Sequence, residues 1–540
     1  MAATGTASDH GAIVIGAGHN GLICAAYLAQ AGLDVLVVEA REAVGGCAST
    51  VDALDGARVN ICNCEHTMVR ATPILGELGL DRHGLRYMNV DPGLHSLHHD
   101  GGPGWFLFHD LERTLEGLRA AYPAEVENYR RYAKAAVPVA KLALAMANDV
   151  PRPGHVLKTS ARLRGHGLTT LLRWTRRSVG DVVRSFFASE QLRGPVVTVG
   201  PSVWGLGPET PGTGLGALGY AMLHAVERGR PVGGSGALPD AVLAALTAAG
   251  GRVRTGVRVA EVLVEGAGVR GVKLTNGEEI TAPIVVAAGD PRQLFMSWLR
   301  DPPPSMAGLV GRYATAAVHD GYEAKIDAVL GGSFRFRRTD DSVCAAVGLD
   351  PSPGPLGPTT VVSSSLARMA ADHALSATGL VSSQPQFMVN VPSVLDPSLA
   401  AGLAPGEEVL SLEAVWTPYA LRGGWAGSAE PQRWLDMFAG LTDGLDVRRF
   451  RVMTPVDYEE QFFMARGYAP SFAGTPLTAL LGRMQEQTRY RTPIRGLFLA
   501  GAGTYPGAGV WGAPGRNAAT AVLSADGGSA RARRAAAAAV

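Results

Sequence analysis

The first forty residues alternate between apolar runs and a glycine-rich turn. Residues 12–15 (AIVI) and 35–38 (VLVV) are continuous apolar runs, which are typical of strands buried on both faces of a parallel sheet. Between them, residues 22–30 carry alanine and leucine at helical spacing and end before Gly32, which predicts a helix that stops there. The order strand, turn, helix, strand predicts a βαβ unit at the start of the chain.

The next part of the chain has the periodicity of helices. Thr72-Pro73 predicts a helix start, and residues 113–122 and 124–148 carry apolar side chains at helical spacing. Residues 158–177 are rich in Lys and Arg with leucines interleaved, and we predict a basic helix there. Such a helix either lies on an anionic membrane or presents a solvated face.

Strand patterns dominate the second half. Residues 240–249 predict one more helix, and short strands are predicted at 252–255, 260–265, 271–274, 281–287 and 322–327. Near the C-terminus, the apolar run 497–500 predicts a buried strand and 517–523 a helix.

The turn after the first strand has the chemistry of a dinucleotide site. It reads Gly16-Ala17-Gly18-His19-Asn20-Gly21, in which Gly16 permits the tight turn and Gly18 lets the backbone approach a pyrophosphate. Gly21 lets helix and strand pack closely, and the helix N-terminus offers free N–H groups to the phosphates. Glu39 ends the second strand, where an acid accepts hydrogen bonds from a ribose diol.

Composition and charge exclude several classes of protein. The chain has 540 residues, of which 46% are hydrophobic and 18% charged, and this predicts a globular protein of two or three domains. The net charge of +1 gives no reason to expect a nucleic-acid partner.

The cysteines predict neither a disulfide framework nor a metal site. There are five, an odd number, at irregular spacing. Cys62-x-Cys64 would need a second ligand pair to hold zinc, and none follows, so we interpret both as structural thiols. The sequence lacks the pair C-x-x-C beside the nucleotide loop, which disfavours disulfide reductase chemistry.

Neither a signal peptide nor a membrane-spanning run is evident in this sequence. We therefore expect a soluble, cytoplasmic protein, and peripheral membrane contact through an apolar patch stays open. Residues 1–10 and 526–540 have the composition of disordered tails.

Two extended motifs carry a family resemblance. Glu39-Ala40-Arg41 leads to Gly45-Gly46, and residues 496–517 read GLFLAGAGTYPGAGVWGAPGRN. Together they resemble the FAD site of the flavin amine oxidase and phytoene desaturase superfamily. The similarity is greatest to its carotenoid desaturase-like branch, which includes a pyridine nucleotide-disulphide oxidoreductase-like group.

The resemblance implies non-covalent FAD. The sequence has no cysteine after Cys344, so the family's cysteinyl-flavin link near the C-terminal motif cannot form. The residues that the resemblance assigns to FAD are Gly16, Gly18, Asn20, Gly21, Glu39, Ala40, Arg41, Gly45, Gly46, Val259, Gly501, Gly503, Thr504, Gly509, Val510 and Ala513.

The resemblance also implies an α/β fold. A Rossmann-type FAD-binding domain of the glutathione reductase-like, amine oxidase subtype is expected to interleave with an α+β substrate domain. The FAD domain would comprise residues 11–70, 229–291 and 456–525, and the substrate domain, which has a helical part, residues 71–228 and 292–455.

Four residues are candidates for the catalytic site, and metal ligands are not expected. His66 lies in a segment that runs near the flavin in the family, with a packed or solvated histidine as the alternative. Lys325 is aligned with a family lysine that holds a water at flavin N5, and its alternative is a surface lysine. Tyr505 and Trp511 stand where relatives have His and a smaller residue, and we expect one or both to line the substrate cavity. Packing of Trp511 in the core behind the loop is the alternative.

The expected function is FAD-dependent oxidation of an apolar small molecule, such as a polyene or terpenoid, by removal of hydride from a C–H bond. The alternatives are a redox-neutral flavin-dependent isomerase, a β-carotene ketolase-like enzyme, and a prenyl-binding escort protein without catalysis. The intact Gly18, Glu39, Gly45 and Gly503 argue against the escort protein. The substrate, the electron acceptor and the choice between monomer and homodimer stay open.

Overall fold

The computed structural model describes residues 8–62, 64–351 and 356–525. The predicted disordered tails therefore lie outside the described residues except for residues 8–10. In that short piece the prediction is wrong, because the Asp9 carboxylate accepts the N–H of Thr281 at 2.9 Å and the His10 imidazole lies 3.0 Å from Asp34.

The strands are short, and most of them are buried. They are β1 (Ala12–Ile15), β2 (Val35–Val38), β3 (Thr50–Ala53), β4 (Ala57–Asn60), β5 (Tyr87–Asn89), β6 (Leu94–His98), β7 (Trp105–Leu107), β8 (Gly229–Pro231), β9 (Arg252–Arg254), β10 (Val259–Glu265), β11 (Gly268–Leu274), β12 (Glu279–Thr281), β13 (Val285–Ala287), β14 (Glu323–Leu330), β15 (Arg335–Phe336), β16 (Thr359–Ser363), β17 (Phe387–Asn390), β18 (Glu408–Val415), β19 (Thr442–Asp443), β20 (Val447–Met453) and β21 (Leu497–Leu499).

Helices of very different length lie between the strands. They are α1 (His19–Gln30), α2 (Thr67–Arg70), α3 (Ile74–Glu77), α4 (Leu111–Ala121), α5 (Val126–Ala147), α6 (Pro153–Arg162), α7 (Leu168–Trp174), α8 (Val179–Arg184), α9 (Glu190–Val199), α10 (Leu218–Ala225), α11 (Ala237–Ala248), α12 (Pro291–Gln293), α13 (Ala307–Thr315), α14 (Asp341–Ala346), α15 (Leu366–Ser376), α16 (Glu430–Ala439), α17 (Pro455–Phe462), α18 (Pro476–Leu480), α19 (Gln485–Thr488) and α20 (Ala513–Ala525).

A five-stranded parallel sheet joins three distant parts of the chain. Its strand order is β21-β13-β1-β2-β9. Helices α1, α11 and α20 cover one face, and the antiparallel sheet β10-β11-β12 packs on the other. Because both faces are covered, β1, β2, β13 and β21 are continuously apolar, as the sequence predicted for β1 and β2, whereas the edge strand β9 carries two arginines.

A seven-stranded sheet of order β20-β14-β18-β17-β16-β6-β7 forms the second large layer. One face is an apolar core that includes Ile326, Leu412 and Phe387 and packs on α16. The opposite face carries polar side chains on its central strands, among them Lys325, which pairs with Glu413 across β14 and β18. Helices α4, α5 and α7–α10 pack over the β6–β7 end of the sheet.

Two of the predicted elements differ from the structure. The strand predicted at 281–287 is interrupted at Pro283. Residues before it end the antiparallel sheet and residues after it enter the parallel sheet, since proline has no N–H for a ladder.

The basic helix predicted at 158–177 is likewise two helices, α6 and α7. Arg164, Gly165 and Gly167 between them have positive φ angles, which end a right-handed helix. Leu171 and Trp174 are buried, so part of the apolar face already packs inside the protein. Among the described helices, none is both long and apolar enough to cross a bilayer.

Candidate functional site

The carboxyl ends of β1, β2, β13 and β21 meet at one edge of the parallel sheet, where α/β proteins bind ligands. The first turn there is Gly16 to Gly21. Gly16 has φ +100°, a conformation that L side chains rarely adopt, and a Cβ on Gly21 would lie 2.0 Å from the Gly16 carbonyl oxygen. These two glycines are therefore required by the fold itself.

Gly18 is different, because no described residue occupies the space that a side chain at this position would fill. Its backbone is extended, with φ −64° and ψ 163°, and a Cβ built there would meet no atom within 4 Å. Gly18 is the N-cap residue of α1, and because it has no side chain it cannot accept a hydrogen bond from the first N–H groups of the helix. The first turn of α1 also carries no acidic residue. Open space in front of uncapped N–H groups fits a bound pyrophosphate.

Glu39 is held by the backbone of two loops. Its Oε2 accepts the N–H of Ala17 at 2.7 Å, and its Oε1 accepts the N–H of Arg41 at 2.8 Å. Each carboxylate oxygen keeps further acceptor capacity, which a ribose diol can use. Glu39 thus ties the turn after β1 to the turn after β2 and presents a fixed anion beside them.

Arg41 and the glycine pair close the loop over this edge. The Arg41 guanidinium lies 4.2 Å from the centre of the Phe462 ring and donates to the Gly46 carbonyl at 3.3 Å. Gly45 donates its N–H to the Ala17 carbonyl at 2.8 Å. The loop therefore runs along the Gly18 turn, as an extended FAD site requires.

The other predicted cofactor residues lie around the same edge. Asn20 is buried in α1, and Ala40 follows Glu39 directly. Val259 begins β10 and is buried, two residues after Val257 donates its N–H to the Glu39 carbonyl at 2.9 Å. Among the described atoms the Asn20 Oδ1 has no hydrogen-bond partner.

The C-terminal motif packs on the end of β13. A Cβ on Gly501 would lie 2.5 Å from the Gly289 carbonyl oxygen, and one on Gly503 would lie 2.5 Å from Pro291. The Thr504 hydroxyl donates to the Gly501 carbonyl at 2.8 Å. Gly501 and Gly503 are therefore required for close packing between the strand ends. The sequence motif alone does not reveal this reason for the two glycines.

The motif then turns toward the start of the chain. Gly509 has φ +105°, and the Val510 carbonyl accepts the N–H of Val69 at 3.0 Å. Ala513 begins α20, and a Cβ on Gly515 would lie 2.1 Å from the Asn20 carbonyl oxygen. Helices α1 and α20 therefore cross in direct contact, with both N-termini near the site.

These features fit FAD. The Gly18 turn and the α1 N-terminus would hold its pyrophosphate, Glu39 its ribose, and the α20 N-terminus would face its ring system. When bound, FAD supplies a two-electron acceptor that takes up hydride.

His66 does not face an open cavity. Its side chain is fully buried, with Nδ1 3.0 Å from the Tyr87 hydroxyl and Nε2 2.7 Å from the Ser235 hydroxyl. Burial, with a smaller contribution from His19, lowers the pKa of His66 to about 3. His66 is thus a neutral, packed histidine in this structure, which corrects the expectation that it faces the reaction.

Lys325 is neither a surface lysine nor a free one. It is buried on β14, where Nζ donates to the Asn60 carbonyl at 2.6 Å and forms an ion pair with Asp327. Asp327 also accepts from Arg451 at 3.0 Å. The ammonium therefore links the seven-stranded sheet to the last residue of β4, and the role of Lys325 at flavin N5 stays a prediction.

Tyr505 and Trp511 occupy different surroundings. The Tyr505 ring packs edge-on against Phe472 with ring centres 5.7 Å apart. Trp511 is 8% exposed and packs in an apolar cluster with Leu144 and Ala147 of α5. This position of Trp511 corresponds to the alternative of core packing rather than to the cavity wall.

The sequence reasoning missed two partly buried acids on the polar face of the seven-stranded sheet. Glu413 pairs with Lys325 in the register of β14 and β18, and Glu323 stands on the same face two residues before Lys325. Burial, together with the neighbouring Glu413, raises the pKa of Glu323 to about 8; burial also raises that of Glu413 to about 7, against the lowering effect of Lys325. Both residues are nonetheless partly exposed.

A family model described as "Flavin containing amine oxidoreductase" matches residues 21–378. Over 95% of its length the chain is 27% identical to "Pyridine nucleotide-disulfide oxidoreductase domain-containing protein 2" of Mus musculus, covering 93% of that protein. It is 28% identical to a limonene dehydrogenase subunit of Castellaniella defragrans, covering 94% of each chain. It is 26% identical to "Phytoene desaturase (lycopene-forming)" of a Paracoccus species, covering 94% of this chain and 96% of the relative.

Among solved structures, an oxidoreductase from Methanosarcina mazei is similar in fold. The TM-score is 0.60 at 16% identity, and the match covers 95% of this chain and 99% of the other. An identity of 16% supports similarity of fold only. That fold is defined by the two large sheets and the position of the nucleotide turn.

Proposed function

The chain belongs to the flavin-containing amine oxidoreductase family, and from that premise we propose that it dehydrogenates a C–H bond of an apolar small molecule such as a terpenoid or polyene. The protein is an FAD-dependent oxidoreductase. The substrate class is the part that is proposed.

The full-length similarity to the limonene dehydrogenase subunit and to phytoene desaturases carries this proposal. Limonene and phytoene are hydrocarbons, and the similarity extends over both large sheets rather than over the nucleotide site alone. A protein that shared only the FAD site with these relatives would match over a much shorter part of their length.

The wall beside the C-terminal motif supports an apolar substrate. The end of the segment 464–472 packs on this motif, where Ser471 accepts the N–H of Ala508 at 3.2 Å and the Phe472 ring packs against Tyr505. The segment supplies Met464, Tyr468 and Phe472, all of them partly buried. Flat and polarisable side chains of this kind orient a substrate that offers few polar groups.

Dehydrogenation also releases a proton, and the two acids are placed to accept it. Glu323 and Glu413 lie on the polar face of β14 and β18, and desolvation raises the pKa of both carboxyls toward neutrality, which suits a proton acceptor. We assign the proton-accepting role to this pair.

The test is anaerobic reduction of the purified, FAD-loaded protein. Limonene, phytoene and their oxygenated derivatives are mixed with the protein in detergent, and primary amines serve as the comparison panel. Bleaching of the flavin absorbance by a hydrocarbon supports the proposal. Bleaching by amines alone contradicts it, and an isomerised product without net bleaching favours the redox-neutral alternative.

A further inference from the structure

Two of the five cysteines differ from the rest in exposure. Cys24, Cys64 and Cys344 are buried, whereas Cys47 and Cys62 keep accessible surface. Cys47 follows the Gly45-Gly46 pair that runs along the Gly18 turn, and Cys62 lies two residues after β4. Both therefore belong to the segments that border the FAD site.

The β3–β4 hairpin brings these two cysteines together. Thr50 pairs with Asn60, and the Ile61 N–H continues the ladder to the Ser49 carbonyl at 3.0 Å. Continuing this register by one residue would set Cys62 opposite Ala48, which is the neighbour of Cys47 in the chain. The two thiols are close enough for each to shift the pKa of the other. The Cys47 sulfur also lies 3.1 Å from the Met464 sulfur.

The surroundings make the two thiols unequal. The hydrogen bond from Cys62 lowers the pKa of Cys47 in spite of its burial, and Arg41 adds to this effect. The same bond raises the pKa of Cys62, together with burial and the nearby Glu323 and Glu413. Cys47 is thus the better nucleophile, and Cys62 stays protonated as the second thiol of the pair.

We propose that Cys47 and Cys62 form a redox-active dithiol, which hydrogen peroxide converts to a disulfide beside the FAD loop. A thiolate is the reactive form of cysteine, and an oxidised cysteine with a second thiol at hand condenses to a disulfide instead of oxidising further. The hairpin supplies that second thiol.

The reaction proceeds in two balanced steps. The Cys47 thiolate attacks one peroxide oxygen; an S–O bond forms, the O–O bond breaks, and the leaving hydroxide takes a proton from solvent to become water. The Cys62 sulfur then attacks the Cys47 sulfenic sulfur; the S–S bond forms, the S–O bond breaks, and the hydroxide leaves as water with the Cys62 proton. Two thiols lose two electrons in total, and peroxide is reduced to water.

The disulfide would join the loop after Gly46 to the end of β4. Lys325 and Tyr458 already bind the carbonyls of Asn60 and Ile61 at that end. Oxidation would therefore fix the FAD loop to the end of β4, and reduction by an external dithiol would release it.

The experiment uses the full-length, FAD-loaded protein and an equimolar amount of hydrogen peroxide. Free thiols are alkylated, the protein is digested without reductant, and the peptides are identified by mass spectrometry. We expect a Cys47–Cys62 link in the natural protein and in Cys344→Ser, and none in Cys47→Ser or Cys62→Ser. Cys62→Ser should accumulate a sulfenic acid on Cys47 that dimedone traps. Cys47→Ser should consume peroxide about tenfold more slowly, since the thiolate is the reactive species.

The decisive measurement, identification of the Cys47–Cys62 link, is made on the natural protein. A variant that fails to fold therefore does not weaken the test. A dominant Cys62–Cys64 link would overturn the proposal, as would sulfinic acids formed without any cross-link. Neither result depends on the substrate, so the outcome is independent of the proposed dehydrogenation.

Discussion

At the scale of single residues, the glycines of the nucleotide turn perform different tasks. Gly21 is required for contact between α1 and the turn, since its Cβ would overlap the Gly16 carbonyl. Gly18 has an ordinary extended backbone and open space before it. Gly21 therefore serves the fold, and Gly18 serves the ligand.

Gly18→Val should leave the apoprotein folded and weaken FAD binding. A side chain in the path of the pyrophosphate costs about 1–3 kcal/mol, which corresponds to roughly 5- to 150-fold weaker binding. Flavin content and the melting temperature of the apoprotein, measured on the same sample, check this. Gly21→Ala is the matched control, because there the melting temperature should fall. An unchanged FAD content in Gly18→Val would show that the pyrophosphate lies elsewhere.

Glu39→Ala should also weaken FAD retention. A charge-assisted hydrogen bond to the ribose contributes roughly 1.5–3 kcal/mol, so the dissociation constant should rise by about one to two decades. Fluorescence titration of the apoprotein with FAD measures it, and the exposed Glu42→Ala provides the control. Equal dissociation constants for the two variants would refute the ribose contact.

At the scale of elements, the polar face of β14 and β18 controls how stability depends on pH. Glu323 is surrounded by Glu413 on β18, by Lys325 on its own strand, and by Cys47. Burial and the neighbouring acid raise its pKa from 4.5 to about 8. The raised pKa of Glu323 contributes to the free energy of unfolding. This contribution is fully present below pH 4.5 and is lost as the pH rises through 8.

Glu323→Gln should therefore flatten the pH profile of stability. We expect natural protein and variant to melt at similar temperatures near pH 4.5, and the variant to melt higher at pH 9. Thermal denaturation across this range, with the exposed Glu460→Gln as the control, measures the difference. A parallel decline of all three proteins would show that the Glu323 carboxyl is not held neutral in the folded state.

Trp511 connects the C-terminal motif to α5. It fills an apolar cluster with Leu144, Ala147 and Ala513, so Trp511→Ala should leave a cavity and destabilise the protein by about 3–5 kcal/mol. Chemical denaturation gives this value, and substrate preference is measured on the same sample. A stable variant with an altered substrate profile would instead support the hypothesis that Trp511 lines the substrate cavity.

At the scale of the whole molecule, one buried acid joins three parts of the chain. The Glu65 carboxylate lies 2.8 Å from Nε of Arg228 and 2.6 Å from an Nη of Arg230, and it accepts the Thr359 hydroxyl at 2.8 Å. The segment after β4, the strand β8 and the seven-stranded sheet therefore share one ion cluster. Burial by itself would raise the pKa of Glu65, but the two guanidinium groups hold it at about 2.

Glu65→Gln should destabilise the protein by about 3–5 kcal/mol at neutral pH, because it leaves two buried cations without their anion. The stability due to the depressed pKa is present above the usual value of 4.5 and is lost as the pH falls toward 2. The gap in unfolding free energy between natural protein and variant should thus narrow below pH 4.5. A gap that stays constant down to pH 2.5 would contradict this role of Glu65.

Local patterns in the amino-acid sequence are sufficient to predict the nucleotide-binding half of this protein. The apolar runs of β1, β2 and β21 are such patterns, and the glycine turns and Glu39 follow them directly. A strand end, a turn and a helix start are neighbours along the chain, so short-range steric and hydrogen-bonding rules suffice to predict them.

The other half of the site depends on how distant segments pack. Whether His66 is packed or exposed, and whether Lys325 is paired, depends on Ser235 and Asp327 as they lie in space. The approach of Cys47 to Cys62 depends on the register of a hairpin, and that of Glu323 to Glu413 on the pairing of strands more than 80 residues apart. Burial and charge act through these distances, which no local pattern in the sequence encodes.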